Sequence, residues 1–316
     1  MVSILIPTYN QSRYLIQAVE SALNQDYPHL EVIVCDDASS DWDQGLLKHF
    51  LADPRLRIHR NHHNLGRVKN YRKCLYELAK LDWVLMLDGD DFLIDDAYVS
   101  KAMEIAAFDP DIDLVFSNAV RRYENKGGII EPSHENKDLP QMMAGPDLFL
   151  KLADTKVISL FHNTAIYKKE KAVNLDFYRS DIISSDWESL HRYILSGKVA
   201  FLNTNASVWR INQASATQNI SAQDRGSNLQ VIVAPYLAAK TQGLFTTSTL
   251  DTWFETRLWR TAFLDARTLL KAGDLKGYKL YLRILKRIST RIERRIRRSP
   301  KLLVQRLKAS LPPASN

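Results

Sequence analysis

The sequence predicts an α/β protein with a mostly parallel, Rossmann-like sheet flanked by helices, followed by a helical C-terminal extension. Five short apolar runs are typical of buried strands: 2–6, 31–35, 56–59, 83–87 and 113–117. Between most of them, apolar residues recur every three or four positions, as on one face of a helix. Such alternation is typical of βαβ units, whose strands lie parallel in one sheet. From 229 to about 298 the spacing is helical, which predicts the extension.

The composition fits a globular chain of one large or two modest domains. Of its 316 residues, 45% are hydrophobic and 25% are charged. No apolar run approaches the roughly 18–20 residues that span a bilayer, and the N-terminus lacks the basic start of a signal peptide. We therefore expect a cytoplasmic protein. Cys35 and Cys74 are too few for a disulfide framework and are expected to be buried thiols.

Three carboxylates follow the apolar run 83–87 within four residues: Asp88, Asp90 and Asp91. In open α/β sheets, ligands bind just beyond the carboxyl ends of such strands. Adjacent carboxylates repel one another unless a cation lies among them, and Mg2+ or Mn2+ bound to a nucleoside diphosphate prefers oxygen ligands. The alternative is a solvated acidic turn that also caps the following helix. The spacing alone does not decide between the two.

Five short motifs occur in an order and spacing that resemble the family 2 glycosyltransferases of the GT-A fold. They are Ile-Pro-Thr-Tyr-Asn at 6–10, Asp-Asp-Ala-Ser-Ser-Asp at 36–41, Asn-Leu-Gly at 64–66, Leu-Asp-Gly-Asp-Asp at 87–91 and Ser-Asp-Trp-Glu at 185–188. Together they cover about residues 1–215. The resemblance implies a metal-dependent, inverting enzyme that moves a sugar from a nucleotide-sugar to a saccharide or lipid-linked saccharide acceptor. Bacterial surface polysaccharide synthesis is the pathway that it suggests.

By this resemblance, the donor site lies at the ends of the first two strands. Pro7 is expected to end the first strand, and Thr8 and Tyr9 to line the nucleotide pocket; the alternative for Tyr9 is a half-buried packing residue. Asp37 resembles the family residue that accepts a hydrogen bond from the base N3–H. That role favours a UDP-sugar and leaves GDP- and dTDP-sugars open. Gly66 permits an unusual backbone angle in the loop over the nucleotide.

The resemblance also assigns the diphosphate and metal contacts. Asp88 and Asp90 form a DxD motif, in which Asp90 contacts Mn2+ or Mg2+ and Asp88 contacts the ribose or the metal shell. Asp91 is expected to be structural, with its side chain capping the next helix. Arg67 and Lys69 would offset the charge of the diphosphate; the alternative for both is a solvated surface charge.

Asp186 is the candidate general base, because it opens a predicted helix about a hundred residues past the DxD motif, where the family carries its base. A single base that activates the acceptor for in-line attack implies inversion at the anomeric carbon. The alternative role for Asp186 is capping of the helix N-terminus together with Ser185. Glu188 is the second candidate base.

The segment 209–215 resembles the family's closing segment, which usually carries a basic residue and a histidine. Asn212 stands where histidine is common, so Arg210 is considered for part of the contact with metal or diphosphate. If the segment orders over the bound donor, it is a lid. Two polar stretches, 131–138 and 212–228, are predicted to be loops.

We divide the chain into a nucleotide-sugar-binding half at 1–120, an acceptor-binding half at 121–225 and a basic helical extension at 226–316. The net charge of +7 is uneven, because 15 Lys and Arg residues follow residue 266 against only Asp274 and Glu293. Apolar residues recur every three or four positions among these basic residues, which predicts an amphipathic basic helix.

The basic segment has three interpretations. Residues 280–308 would dock on an anionic membrane, at the inner face of the cell membrane, where a lipid-linked acceptor is found. Alternatively, the apolar stripe packs on the catalytic body and the arginines are solvated. Nucleic-acid binding is disfavoured, because no aromatic residues are interleaved as a stacking platform.

Other functions fit the sequence less well. A nucleotidyltransferase would usually carry a Gly-rich basic loop after the first strand, where this chain has Pro-Thr-Tyr-Asn-Gln at 7–11. A dehydrogenase would carry Gly-x-Gly-x-x-Gly there. A non-catalytic binding or scaffold protein on the same fold would be expected to have lost Asp90 or Asp186, and both are present.

Overall fold

The computed structural model describes residues 1–131, 135–154, 157–212 and 220–310. The chain folds into two compact units, each formed by two stretches of sequence. The first unit comprises Met1–Asp181 and Ser189–Gln213, and the second comprises Ile182–Glu188 and Ala214–Asn316.

The first unit is built on one sheet. Its strands are β1 (Val2–Thr8), β2 (Leu30–Asp36), β3 (Leu56–Arg60), β4 (Trp83–Met86), β5 (Phe92–Leu93), β6 (Ile112–Tyr123), β7 (Ile129–Glu131), β8 (Met142–Ala144), β9 (Ile166–Lys168) and β10 (Lys198–Ile211). Its helices are α1 (Ser12–Leu23), α2 (Arg67–Lys73), α3 (Tyr98–Phe108), α4 (Gly145–Lys151) and α5 (Lys169–Asn174). The next helix, α6 (Ser185–Tyr193), begins in the second unit and ends in the first.

The sheet is mixed. Its strand order is β3-β2-β1-β4-β9-β6-β10-β5, with β7 paired to β6 and β8 paired to β10. The strands β1 to β4 are parallel, with Ile4 beside Val32 on one side and Leu85 on the other. β6 is parallel to β10, whereas β9 runs antiparallel to both of its neighbours, β4 and β6. The expected α/β sheet with flanking helices is therefore confirmed, with more antiparallel pairing than the sequence predicted.

β1 is the centre of the parallel part, and all seven of its residues are buried. A strand covered on both faces has this continuous apolar pattern. Pro7 lies inside β1 and does not end it, contrary to the prediction. It lies beyond the last β1–β4 pair, Leu5 with Met86, so its missing N–H removes no bond from that ladder.

The core of the first unit joins one face of the parallel strands to α1 and α3. Its members include Ile4, Leu15, Val34, Leu85 and Tyr98. Cys35 and Cys74 are buried free thiols, as predicted.

Two regular elements differ from the sequence prediction. The helical pattern that follows β3 forms α2 and then a π-helical turn at Cys74–Leu78. The sequence also predicts two separate strands at 199–202 and 207–211, but they form one continuous strand, β10, whose register against β6 shifts between Leu202 and Ser207. These shifts let β10 bend without ending.

The two predicted loops lie partly outside the described residues. Residues 132–134 of the first loop and 213–219 of the second are not described. The rest of the second stretch includes a helix, α7 (Ala222–Asn228), which begins with a Ser221 side-chain cap. That part of the loop prediction was wrong, because a capping serine followed by Asp224 is itself a helix-start signal.

The second unit is helical, as predicted for the C-terminal extension. After α7 come α8 (Gln230–Thr241), α9 (Thr247–Lys271), α10 (Leu275–Ile288), α11 (Thr290–Arg297) and α12 (Pro300–Ser310). Gly226 of α7 allows α10 to approach closely, since a Cβ atom there would lie 2.5 Å from Cδ1 of Ile284. In the part of the chain that the structure covers, no helix is long and apolar enough to cross a bilayer.

The basic segment at 280–308 spans parts of three helices, and its predicted apolar stripe lies on two of them, α10 and α11. Ser289 separates them and caps α11 by accepting a hydrogen bond from the Ile292 N–H. The apolar stripe of both helices is buried: Tyr281, Leu285, Ile292 and Ile296. Both helices pack against α9. The stripe is therefore covered by protein, and the basic residues lie on the exposed side.

Candidate active site

Asp37 immediately follows β2 and organises the loop that precedes α2. Its side chain is buried, and Oδ1 accepts hydrogen bonds from Asn61 Nδ2 and from the Leu65 N–H, both at 2.8 Å. Oδ2 accepts from the Gly66 N–H at 2.9 Å. Gly66 has a φ of +88°, which bears out the prediction that glycine is needed here. A carboxylate thus holds the glycine loop against the end of β2.

Asn61 extends this network, although no local sequence pattern marks it. Besides its bond to Asp37, Nδ2 donates to Asn70 Oδ1 at 2.9 Å, and Oδ1 accepts from Lys73 Nζ at 2.8 Å. Asn70 in turn donates to the Cys35 carbonyl oxygen at 2.9 Å. Asn61 is buried and bonded on both ends of its amide, so it fixes the orientation of the Asp37 carboxylate.

The DxD motif follows β4 and lies against the end of β1. The Gly89 N–H donates to the Pro7 carbonyl at 3.1 Å. A Cβ atom at Gly89 would lie 2.7 Å from Oγ1 of Thr8, so only glycine fits between the two carboxylates. The structure therefore brings Thr8 beside Gly89, the residue that connects Asp88 to Asp90.

Asp90 is a buried carboxylate with a perturbed pKa. Its side chain accepts a hydrogen bond from Asn212 Nδ2 at 2.9 Å. Burial, and then the neighbouring charge of Asp88, raise the pKa of Asp90 from 3.8 to about 6. Asp88 is half-buried and accepts a hydrogen bond from the hydroxyl of Tyr71. Asn212 thus contacts Asp90 from the position at which the resemblance expects a histidine.

Asp91 braces the loop, but it caps no helix. Its Oδ1 accepts from the Arg210 N–H at 2.8 Å, and its Oδ2 accepts from Asn163 Nδ2 at 2.9 Å. Burial raises the pKa of Asp91 well above its usual range. The prediction of a structural role is correct and that of helix capping is wrong, because the short strand β5 follows directly.

Arg210 is fully engaged within the first unit. Its guanidinium donates to the Asp90 carbonyl at 2.6 Å and to Gln17 Oε1 at 2.7 Å, and it pairs with Glu124 at 2.5 Å. It also stacks 4.4 Å from the ring centre of Tyr14. The buried guanidinium therefore positions the DxD backbone, and this geometry does not support its suggested contact with a diphosphate. The rest of the predicted closing segment, from residue 213, lies outside the described residues.

The other predicted donor residues lie directly after β1 and on α2, the helix whose Tyr71 contacts Asp88. Tyr9, directly after β1, is 48% exposed, which suits a ligand-facing ring. Arg67 opens α2, and its guanidinium lies 5.4 Å from the centre of the Tyr71 ring, whose hydroxyl contacts Asp88. Lys69 is exposed on α2. Tyr71 joins α2 to the DxD motif. No local sequence signal marks this residue, since a tyrosine at helical spacing is typical of any protein core.

Asp186 lies in the second unit, in the first turn of α6, and is half-buried. Asn228 of α7 holds the chain just before it: Oδ1 accepts from the Ser184 N–H at 2.8 Å and Nδ2 donates to Ser184 Oγ at 3.1 Å. A carboxylate in the first turn is favoured by the helix dipole. Glu188 is fully buried, which does not suit a base that must meet an acceptor hydroxyl.

A divalent cation is the group that the chemistry of the DxD site implies. Among the described residues, no group of three or more His, Cys, Asp or Glu side chains is arranged to hold a metal ion. Asp88 and Asp90 nevertheless supply hard oxygen donors, and the raised pKa of Asp90 means that its charge is poorly compensated. Mg2+ and Mn2+ are often held by one or two carboxylates together with waters and substrate phosphates. The residues therefore fit a cation that arrives with a diphosphate.

A glycine loop held by one carboxylate and a DxD turn lie at the ends of the strands on either side of β1, the edge at which open α/β sheets bind ligands. Residues 3–172, more than half of the chain, match the sequence model of Glycosyl transferase family 2. The chain belongs to this family, and the expectation of a glycosyltransferase is confirmed at the level of the family.

Relatives and solved structures agree with this placement. Chondroitin synthase of Escherichia coli is 41% identical over 99 residues, which are 31% of this chain and 14% of that protein. The structure of S. aureus TarS 1–349 in complex with UDP-GlcNAc has a TM-score of 0.72 at 16% identity, covering 98% of this chain and 88% of that one. The mannosyltransferase PcManGT from Pyrobaculum calidifontis, in complex with GDP-Man and Mn2+, has a TM-score of 0.56 at 17% identity, with the same coverage. At these identities the two structures establish the shared GT-A fold.

Proposed function

We propose that this protein is a metal-dependent, inverting glycosyltransferase that transfers a sugar from a UDP-sugar to a saccharide or lipid-linked saccharide. The observation that carries the proposal is the placement of Asp37 and the DxD motif, after β2 and β4, the two strands that flank β1. The carboxyl ends of adjacent parallel strands are where such folds bind nucleotides. In this proposal Asp37 meets the base of the donor, and the DxD motif meets its diphosphate.

The choice of UDP rests on Asp37. A carboxylate offers about four lone-pair positions, and three are used by Asn61, Leu65 and Gly66. The remaining position accepts the N3–H of uracil, whereas a base that presents an acceptor there would be repelled. The UDP-GlcNAc bound to TarS agrees with this choice, and the GDP-Man bound to PcManGT is the reason to test GDP as well.

Asp88 and Asp90 would hold Mn2+ or Mg2+ together with the diphosphate. When bound, the cation stabilises the negative charge that develops on the leaving nucleoside diphosphate. Arg67 and Lys69, on the first turn of α2, add positive charge on the diphosphate side. Tyr71 donates to Asp88 and so orients that carboxylate.

Asp186 is proposed as the general base. It would take the proton of the acceptor hydroxyl as that oxygen attacks the anomeric carbon from the side opposite the leaving diphosphate. A single displacement of this kind inverts the anomeric configuration. Asn228 supports the role by fixing the backbone before α6.

The acceptor and location remain parts of the proposal. A surface polysaccharide built on a lipid carrier would be met at the inner face of the cell membrane. The segment 280–308 is the part of the chain proposed to contact that membrane, and the enzyme is proposed to act in the cytoplasm.

The test is calorimetric titration of UDP, GDP and dTDP, with Mn2+ and with EDTA, on the full chain and on Asp90→Asn. Asp26→Asn, at an exposed site, is the matched control. We expect UDP to bind with the metal present, and the binding to be lost in EDTA and in Asp90→Asn but kept in the control. Absence of nucleotide binding under every condition would refute the proposal, and tighter binding of GDP would refute the role of Asp37 in selecting uracil.

A further inference from the structure

The exposed side of α10 and α11 carries a dense array of basic residues, here called the basic face. It consists of Lys276, Lys279, Arg283, Lys286, Arg287, Arg291, Arg294, Arg295, Arg297 and Arg298, all of them exposed. At about 100° per residue, the five on α10 fall within an arc of about 100°. This arc lies opposite the buried Tyr281 and Leu285. The two helices thus have one basic side and one buried side.

The charge of the basic face is largely uncompensated by acidic residues. Between 276 and 298 the only acidic residue in the sequence is Glu293, which is buried and paired with Arg297. Arg291 pairs with Glu255 of α9 at 2.5 Å. So many like charges on one surface repel one another, and a polyanion outside the protein removes that repulsion.

The buried stripe determines which anionic partner fits. An amphipathic helix that inserts into a bilayer needs its apolar side free, and here Ile292 and Ile296 are covered by protein. Single-stranded nucleic acid needs aromatic side chains for stacking, and the aromatic residues of this segment, Tyr278 and Tyr281, are also buried. A plane of anionic lipid headgroups requires only exposed positive charge.

We propose that the basic face is a docking surface for anionic phospholipid headgroups, which holds the protein on a membrane by charge alone, without insertion of apolar residues. This inference rests on the membrane contact proposed above for 280–308 and specifies its chemistry, and it depends on residues of the second unit only. Binding through charge alone is reversible by salt, because exposed charges are screened within about 8 Å at physiological ionic strength. It also requires no contact with the hydrocarbon of the bilayer.

The test is flotation of the full chain with vesicles of phosphatidylcholine, alone or with about one-third phosphatidylglycerol, in about 0.05 M and about 0.5 M NaCl. The test variant combines Arg283→Glu, Arg287→Glu and Arg294→Glu. The matched control combines Lys48→Glu, Lys80→Glu and Lys240→Glu, which are exposed residues elsewhere and give the same change in net charge. Thermal unfolding and UDP titration accompany each protein, so loss of folding and loss of donor binding are recognised separately.

We expect binding to the anionic vesicles alone, released by high salt, with a partition coefficient lowered at least about a hundredfold in the test variant and little changed in the control. Binding to pure phosphatidylcholine, or binding that resists salt, would overturn the proposal, because both indicate insertion. Equal loss of vesicle binding in the control would overturn it as well, since binding would then depend on net charge and not on the basic face. Tight binding to a DNA duplex without binding to anionic vesicles would assign the face to a different partner.

Discussion

Asp90→Asn removes a charge from a buried position and keeps the shape of the side chain. Burial and the Asp88 charge raise the pKa of Asp90 from 3.8 to about 6. Each tenfold change in an ionisation constant is worth about 1.4 kcal/mol, so ionisation of Asp90 costs the metal-free fold about 3 kcal/mol. Asparagine keeps an oxygen that accepts from the Asn212 amide. The variant should therefore avoid most of this ionisation cost and keep the hydrogen bond.

The sign of the pH dependence follows from the direction of the shift. The folded pKa lies above the unfolded value, so the cost is fully present above about pH 6 and fades as the pH falls toward about 4. In EDTA, Asp90→Asn should therefore be more stable than the wild type by up to about 3 kcal/mol at about pH 7.5. The difference should shrink toward zero at about pH 4.

Urea unfolding in EDTA across this pH range measures both the size and the sign of the stability difference. Asp26→Asn is the exposed control. The same variant should lose metal-dependent UDP binding, so stability and binding change in opposite directions. If Asp90→Asn is no more stable than the wild type at about pH 7.5, or if its advantage persists unchanged at about pH 4, the reasoning from burial is refuted.

Three further substitutions test the other parts of the site. Asp186→Asn should leave UDP binding by calorimetry within about twofold and lower sugar transfer at least about a hundredfold; retained transfer would exclude it as the base. Asn61→Ala leaves the buried Asp37 with one donor fewer, so UDP binding should weaken about tenfold and the free energy of unfolding should fall by about 1–3 kcal/mol, with unchanged affinity contradicting the positioning role. Gly89→Ala places a methyl group 2.7 Å from Thr8 Oγ1. Unfolding and calorimetry should show a loss of about 1–3 kcal/mol together with weaker donor binding, and a variant that behaves as the wild type would show that the turn relaxes freely.

The parts of the site that could be predicted from sequence are those marked by local pattern. Asp37 and the DxD motif were found because each follows a run of apolar residues that forms a buried strand. Gly66 was predicted from the Asn-Leu-Gly motif at 64–66, and its φ of +88° confirms that the position favours glycine. Strand periodicity and turn residues act over a few positions, so a single sequence displays them.

Residues whose roles depend on distant partners were missed or misassigned. Asn61 resembles any polar loop residue until the fold brings it to Asp37, 24 positions away. Arg210 resembles a free cation, but its guanidinium is buried among partners as far as Gln17. Asp91 resembles a helix cap because the sequence gives no sign that the following two residues pair with β10. Tertiary packing decided each of these assignments.

The bonds from β10 to the DxD loop bear on how this enzyme is recombined with relatives. Asp90 and Asp91 are held by Arg210 and Asn212, about 120 positions later in the chain. A fragment that ends near residue 120 would contain the proposed metal ligands without the side chains that position them. For chimeras that exchange donor specificity, the crossover therefore belongs after residue 212. The DxD motif, which follows β4, and the residues at the end of β10 that hold it then come from the same parent.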